Sequence, residues 1–211
     1  MEMAMRWTKL LPLLPLSFLA VFFYFPLVSI LYEGLWDNGF TLRYIHEVLL
    51  NDYHRGVIYF TFWQSAVSTL LTLALGLPGA YIFTKHDFPG KRFLKALLTV
   101  PFVMPSIMVA LGFLLLFGKS GFFARIFGRD LGILYSWKAI ILAHAFYNFP
   151  VVVRMVSSLW QRINPHYEEA ALSLGAKGFT LFRRVTLPML LPAIFASSML
   201  TFIFCFLSFS L

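Results

Sequence analysis

The sequence predicts an all-α membrane protein with about five spanning helices, and three observations carry that prediction. Apolar residues make up 60% of the 211 residues and charged residues only 12%, with a mean hydropathy of +0.79. A soluble domain typically holds about 45–50% apolar and about 25% charged residues, so lipid must solvate part of this apolar surface. The apolar residues fall into five runs, each near the roughly 20 residues a helix needs to cross a bilayer. Most of the 17 basic residues stand in short clusters before and between those runs, as in loops that face the cytoplasm. A net charge of +8 distributed in this way points to membrane lipid and not to nucleic acid as the surrounding partner.

The first run covers residues 10–32 and contains Pro12, Pro15 and Pro26, which a membrane helix tolerates where neighbours satisfy the freed carbonyls. Arg6 and Lys9 before it resemble the start of a signal peptide. The run is too long for a signal core and lacks a small-residue cleavage site, so an uncleaved span is expected. Residues 33–55 are polar, with a short helix expected around 42–50. The second run, 57–83, carries Gly76, Pro78 and Gly79 in its second half, which predict a kink. Residues 85–95 form a basic loop that turns at Phe88-Pro89-Gly90. The third run, 96–117, holds Pro101 and Pro105; residues 118–135 are a polar connection; the fourth run is 137–160. Residues 161–184 are polar with a helix of their own, and a fifth run begins at Leu187. A cytoplasmic N-terminus puts eleven basic residues inside, leaving Arg43, Arg55, Lys119, Arg125, Arg129 and Lys138 outside, and the bias favours that orientation. Trp63, Trp137 and Trp160 stand near run ends, where interfacial anchoring explains them.

Cys205 is the only cysteine, so no internal disulfide forms, and its apolar context predicts a small packing residue. His46, Asp52 and His54 follow no strong ligand spacing, so no metal site is expected. His144 and Asn148, four residues apart in the fourth run, share a helix face and have two readings: they line a substrate path, or they pack between helices through hydrogen bonds. Arg154 is expected to snorkel towards the helix end. A membrane enzyme would need a nucleophile and base at one depth, and the sequence offers Ser65 and Ser68 no evident histidine partner. A channel or ion-coupled carrier would need filter sequences or carboxylates within the spans, and the nine acidic residues are expected outside them.

The most informative stretch runs from Asn164 to Pro188. Asn164 is a candidate N-cap and Pro165 suits the first helical position. Glu168 and Glu169 then lie near the positive end of the helix dipole. Ala170, Ala171, Leu172 and Leu174 make a short surface of mostly small apolar side chains, and Gly175 suits the left-handed position after a helix end. The expected product is a compact helix of two to three turns on the cytoplasmic side, too short to be stable alone. Small side chains that admit close approach suit a piece that docks into a partner.

Glu169-Ala170-Ala171, Gly175, Val185 and Leu187-Pro188 resemble, position by position, the EAA loop of the permease subunits of binding-protein-dependent ABC importers. Valine at 185 replaces the commoner isoleucine. Residues 60–83, the Phe88-Pro89-Gly90 turn, Ile141-Leu142-Ala143-His144 through Pro150, and residues 202–209 are similar to the thiamine and ferric-iron import permeases of that family. The resemblance implies a MetI-like transmembrane domain over residues 1–211, with a coupling loop at 161–188. It also implies that the domain is incomplete, truncated at the C-terminus within the fifth span. It further implies a chain in the plasma membrane of a prokaryote that is not an enzyme and that moves a thiamine-, ferric-iron- or polyamine-like solute inward. The implied partners are a cytoplasmic ATPase subunit that binds ATP and Mg, a second permease half or homodimer partner, and an extracellular solute-binding protein. Glu169 would anchor the loop to the ATPase, Ala170 and Ala171 would permit close contact, Gly175 would make the turn, and Leu187-Pro188 would set the angle of the next span. The chain contains no Walker A sequence, in keeping with ATP chemistry on another subunit.

Overall fold

The computed structural model describes residues 12–36, 39–129 and 131–208; Arg6 and Lys9, which weigh in the orientation argument, lie outside them. Among the described residues, five helical stretches are long and apolar enough to cross a membrane: Pro15–Leu35, Asp52–Lys85, Ile107–Phe127, Trp137–Trp160 and Gly178–Phe206. The chain divides into two compact units, residues 1–58 and 59–211.

In the first unit, α1 (Leu13–Leu19) passes into α2 (Phe25–Leu35) through a wide helical turn at Ala20–Tyr24. The short helix expected near 42–50 is α3 (Arg43–Leu50), followed by the first turns of α4 (Asp52–Lys85). Arg43 Nε lies 2.8 Å from Glu47 Oε1 one turn on, an exposed pair that adds little stability.

The second unit continues α4 through α5 (Lys91–Leu97), α6 (Val100–Val103), α7 (Ser106–Phe117), α8 (Phe122–Phe127), α9 (Trp137–Trp160), α10 (His166–Ser173), α11 (Gly178–Leu181) and α12 (Leu187–Phe206). α4 runs unbroken through Pro78. The glycines read as a kink have a different use: a Cβ on Gly76 would stand 2.6 Å from Val152 Cγ1, and one on Gly79 3.0 Å from Val153 Cγ2. They let α9 approach the α4 backbone. α4 and α9 run parallel in register, because Ser68 meets His144 at an offset of 76 residues and Gly76 meets Val152 at the same offset. α12 lies antiparallel to both, with Gln64 Nε2 donating to the Cys205 carbonyl at 3.2 Å and Phe62 against Phe206.

The loop after α4 turns at Gly90, whose φ of +82° requires glycine. Lys91 Nζ closes the turn, donating to Asp87 Oδ1 (2.7 Å) and the His86 carbonyl (2.8 Å). That hydrogen bond and charge hold the Asp87 carboxyl below its usual range.

The third run, 96–117, is not one helix. It breaks after α5 and again at Met104-Pro105, where Met104 is extended (φ −75°, ψ 131°). Proline disfavours the helical conformation of the residue before it. The carbonyl freed by the break is satisfied by the Tyr147 hydroxyl from α9, which is how irregular backbone survives at membrane depth.

The fifth helix also departs from expectation. It begins at Gly178, nine residues before the apolar run, and Pro188 lies within it. A wide turn at Phe182–Thr186 precedes the proline. Pro26 follows the Ala20–Tyr24 wide turn in the same way. Proline donates no N–H and its ring crowds the carbonyl four residues back. A wider turn immediately upstream relieves both problems without breaking the helix.

The packed centre joins α4, α9 and α12: Ala80, Val152, Val156, Trp160, Leu190 and Ala193 form one apolar cluster. Trp160 is buried there against Tyr81 and Phe182, so it packs helices together and is not an interfacial anchor. Trp63 and Trp137 meet edge to face at the opposite end, 5.5 Å between centroids.

Candidate functional site

Helix α10 stands at the end of the bundle where α4 and α9 finish and α12 begins. Its local fold follows the sequence closely. Asn164 Oδ1 accepts from the His166 N–H at 3.0 Å, and Glu169 N–H donates to the Pro165 carbonyl at 3.0 Å. The helix closes with paired bonds, Ala176 N–H to the Ala171 carbonyl (3.0 Å) and Gly175 N–H to the Leu172 carbonyl (2.9 Å). Gly175 takes φ +88°, so its role is conformational; a Cβ there would touch nothing within 4 Å.

The two adjacent glutamates face opposite ways, since successive side chains on a helix diverge by roughly 100°. Glu169 points out: its side chain is 64% exposed, and among the described residues its partner is His166 Nδ1 at 2.8 Å. Glu168 points in, 21% exposed, and both carboxylate oxygens are engaged. Oε2 accepts from Lys85 Nζ at the end of α4 (2.7 Å), and Oε1 accepts from Thr186 Oγ1 in the wide turn before α12 (3.1 Å). Beside Glu169 the outward surface of the loop carries uncovered apolar side chains: Tyr167, Leu172 and Phe179 are exposed, and Leu174 is 90% exposed. Val185 lies within the wide turn, and Leu187 and Pro188 are the first two residues of α12. The structure thus gathers Glu169, Ala170, Ala171 and Gly175 on one short helix and its cap, with Val185, Leu187 and Pro188 at the base of the following span.

The sequence placed Glu168 only near the helix dipole and assigned no role to Lys85 or Thr186. A signal existed: two neighbouring acids on one helix diverge by roughly 100°, so they need not serve the same partner.

A second cluster lies deeper, along α4, α9 and α12. Gln64, Ser65, Ser68, Thr69 and Thr72 form a buried stripe on α4, facing His144 and Asn148 of α9 and Ser197, Thr201 and Cys205 of α12. His144 and Asn148 are 2% and 4% exposed. Ser68 Oγ lies 3.3 Å from His144 Nδ1; Asn148 Nδ2 donates to the His144 carbonyl (3.0 Å) and towards Cys205 Sγ (3.6 Å). The expectation that Ser68 lacks a histidine at its depth is therefore corrected, because the parallel register of α4 and α9 sets the two side by side. The pair still lacks the third member of a hydrolytic triad: among the described residues no carboxylate is buried in the seam. Gln64 Oε1, His144 Nε2 and Thr201 Oγ1 are buried with no hydrogen-bond partner among the described residues.

Residues 72–211 match the family described as binding-protein-dependent transport system inner membrane component. The chain is 37% identical over 143 residues to the sulfate transport system permease protein CysT of Salmonella typhimurium, covering 67% of this chain and 52% of that protein. It is 35% identical over 157 residues to CysT of Escherichia coli, covering 74% and 57%. Against the molybdenum transport system permease protein ModB of Escherichia coli it is 32% identical over 140 residues, covering 65% and 61%. The chain spans little more than half the length of these relatives.

Proposed function

We propose a function from one premise: the chain belongs to the family of binding-protein-dependent transport system inner membrane components. It acts as membrane-spanning permease subunit of an ABC importer, multi-pass in the inner membrane with its N-terminus cytoplasmic, and it is driven by a separate ATPase. The observation that carries this reading is helix α10, a capped helix presenting Glu169 and a bare apolar surface at the end of the bundle. An exposed apolar patch rimmed by charge is what a docking partner covers. In the mechanism, the ATPase subunit binds ATP and Mg and holds α10 through Glu169 and the Leu172–Leu174 surface. Its closure moves α10, and the spans attached to α10 alternate access towards a second permease half. Cargo arrives from an external binding protein.

For the cargo, the relatives favour a tetrahedral oxyanion of the sulfate or molybdate type in place of the thiamine-, ferric-iron- or polyamine-like solute expected from sequence. Chemistry supports the shift away from a polyamine. A polyamine path calls for carboxylates, whereas the buried polar groups of the described spans are neutral hydroxyls, amides and an imidazole. Such groups donate hydrogen bonds to an anion without trapping it. His144 and Asn148 are proposed as part of that path.

Purification of the tagged chain from its native membranes tests the reading. A co-purifying subunit with a Walker A sequence, lost on Glu169→Lys, is the expected result; its absence from the wild-type complex would overturn the assignment. Labelled sulfate uptake competed by molybdate tests the cargo. His144→Ala and Asn148→Ala should slow that uptake, and unchanged rates would remove both residues from the path.

A further inference from the structure

The covalent chain connects α10 only to the fourth and fifth spans. α4, the second span, ends 83 residues before Glu168, yet its last residue is bound to α10 by the Lys85–Glu168 pair. The same carboxylate holds Thr186, 97% buried in the wide turn at the base of α12. One side chain therefore fastens the loop helix to two spans that run in opposite directions. The wide turn is the natural place for α12 to pivot, since such turns mark functional bends within helices. Rigid helices fastened at one end move together, whereas a helix without the fastening lags behind.

We propose that Glu168 is a positioning residue of the transport cycle: its carboxylate clamps the loop helix to Lys85 and Thr186, so that a displacement of α10 moves the second and fifth spans together. Glu169 and Glu168 then divide the work, the first reaching the driving subunit and the second passing its motion inward. The inference rests on the permease reading above. It adds that the clamp governs how much transport each hydrolysed ATP yields, not whether the ATPase docks.

The test uses the full transporter, with its ATPase and binding protein, in liposomes loaded with ATP, reading sulfate uptake and ATP hydrolysis together. Recovery of the ATPase with the wild-type chain is checked first; its failure would overturn the permease reading and this inference with it. Glu168→Gln should retain the ATPase and the hydrolysis stimulated by the binding protein. Uptake should fall at least about fivefold, the low end of measured coupling between sites, so that ATP hydrolysed per cargo rises by the same factor. Lys85→Glu should behave alike. The charge-exchanged double variant Lys85→Glu/Glu168→Lys should recover at least half of the lost ratio, which a variant that merely misfolds would not do. An unchanged ratio in Glu168→Gln would overturn the proposal. So would loss of ATPase binding in Glu168→Gln, because the clamp would then serve docking instead of transmission.

Discussion

The loop helix α10 and the seam between α4, α9 and α12 hold polar groups in opposite ways. The loop uses charge: Glu168 is paired inward with Lys85, Glu169 is turned outward, and an apolar surface is left uncovered. The seam uses neutral hydroxyls, amides and one imidazole, all buried, with hydrogen bonds that cross from helix to helix. The difference follows from the solvent each region meets. A charge at mid-membrane costs about 2.5–3.5 kcal/mol on the insertion scale, whereas small polar residues let helix backbones approach. It teaches that the two regions fail differently. Damage to the loop should uncouple a folded protein, and damage to the packing of the seam should loosen the fold itself.

Gly175→Asp breaks the comparison most sharply. Its backbone conformation is left-handed, and an anion there opposes the negative end of the α10 dipole. Uptake should fall to background while membrane insertion and thermal unfolding in detergent stay as in the wild type; a lowered unfolding temperature would show that the loop also carries stability. Gly76→Val is the seam counterpart. The new side chain would meet Val152 at 2.6 Å from its Cβ, and overpacking of this kind costs about 1–3 kcal/mol. The unfolding temperature should drop and uptake should fall only in proportion to the folded fraction. Ser68→Ala removes one interhelical bond to His144 and should cost about 0.6 kcal/mol, the average for such bonds in a membrane protein. Thr201→Val should have the smallest effect on the fold. Its hydroxyl is buried without a partner among the described residues, so its removal should leave the unfolding temperature unchanged or slightly raised. A clear drop would mean the hydroxyl is engaged.

The loop was legible in the sequence because everything that defines it is local. Asn164, Pro165, Gly175 and the Leu187-Pro188 pair each act on the backbone next to them, and each plays the conformational part its chemistry dictates, apart from Pro188, which lies inside a helix already begun. The fourth span, 137–160, was legible from its mostly apolar composition and spanning length, and its helix continues through Pro150. What escaped was non-local. Lys85 looked like the first residue of a basic loop, because nothing near it in sequence announces Glu168. Ser68 looked solitary until the register of α4 against α9 set it beside His144. The small-residue stripe Ser65, Ser68, Thr72, Gly76 and Ala80 was visible at helical spacing. Its glycine was read as a bend because a glycine alone does not say whether it serves flexibility or close approach. The third run misled for a related reason: apolar composition passes straight through Pro101 and Pro105, while the backbone does not.

Site-specific cross-linking asks whether the driving subunit sits on the outward face of α10. With Cys205 replaced by alanine, a single cysteine is placed at Leu174 or, as a control at the far end of α9, at Trp137. A thiol-to-amine cross-linker is then applied to native membranes and the products are identified by mass spectrometry. The expected product joins Leu174→Cys to a subunit carrying a Walker A sequence, with none from Trp137→Cys. Labelling of that subunit from Trp137→Cys, with none from Leu174→Cys, would place the driving subunit at the opposite end of the bundle and remove α10 as its seat.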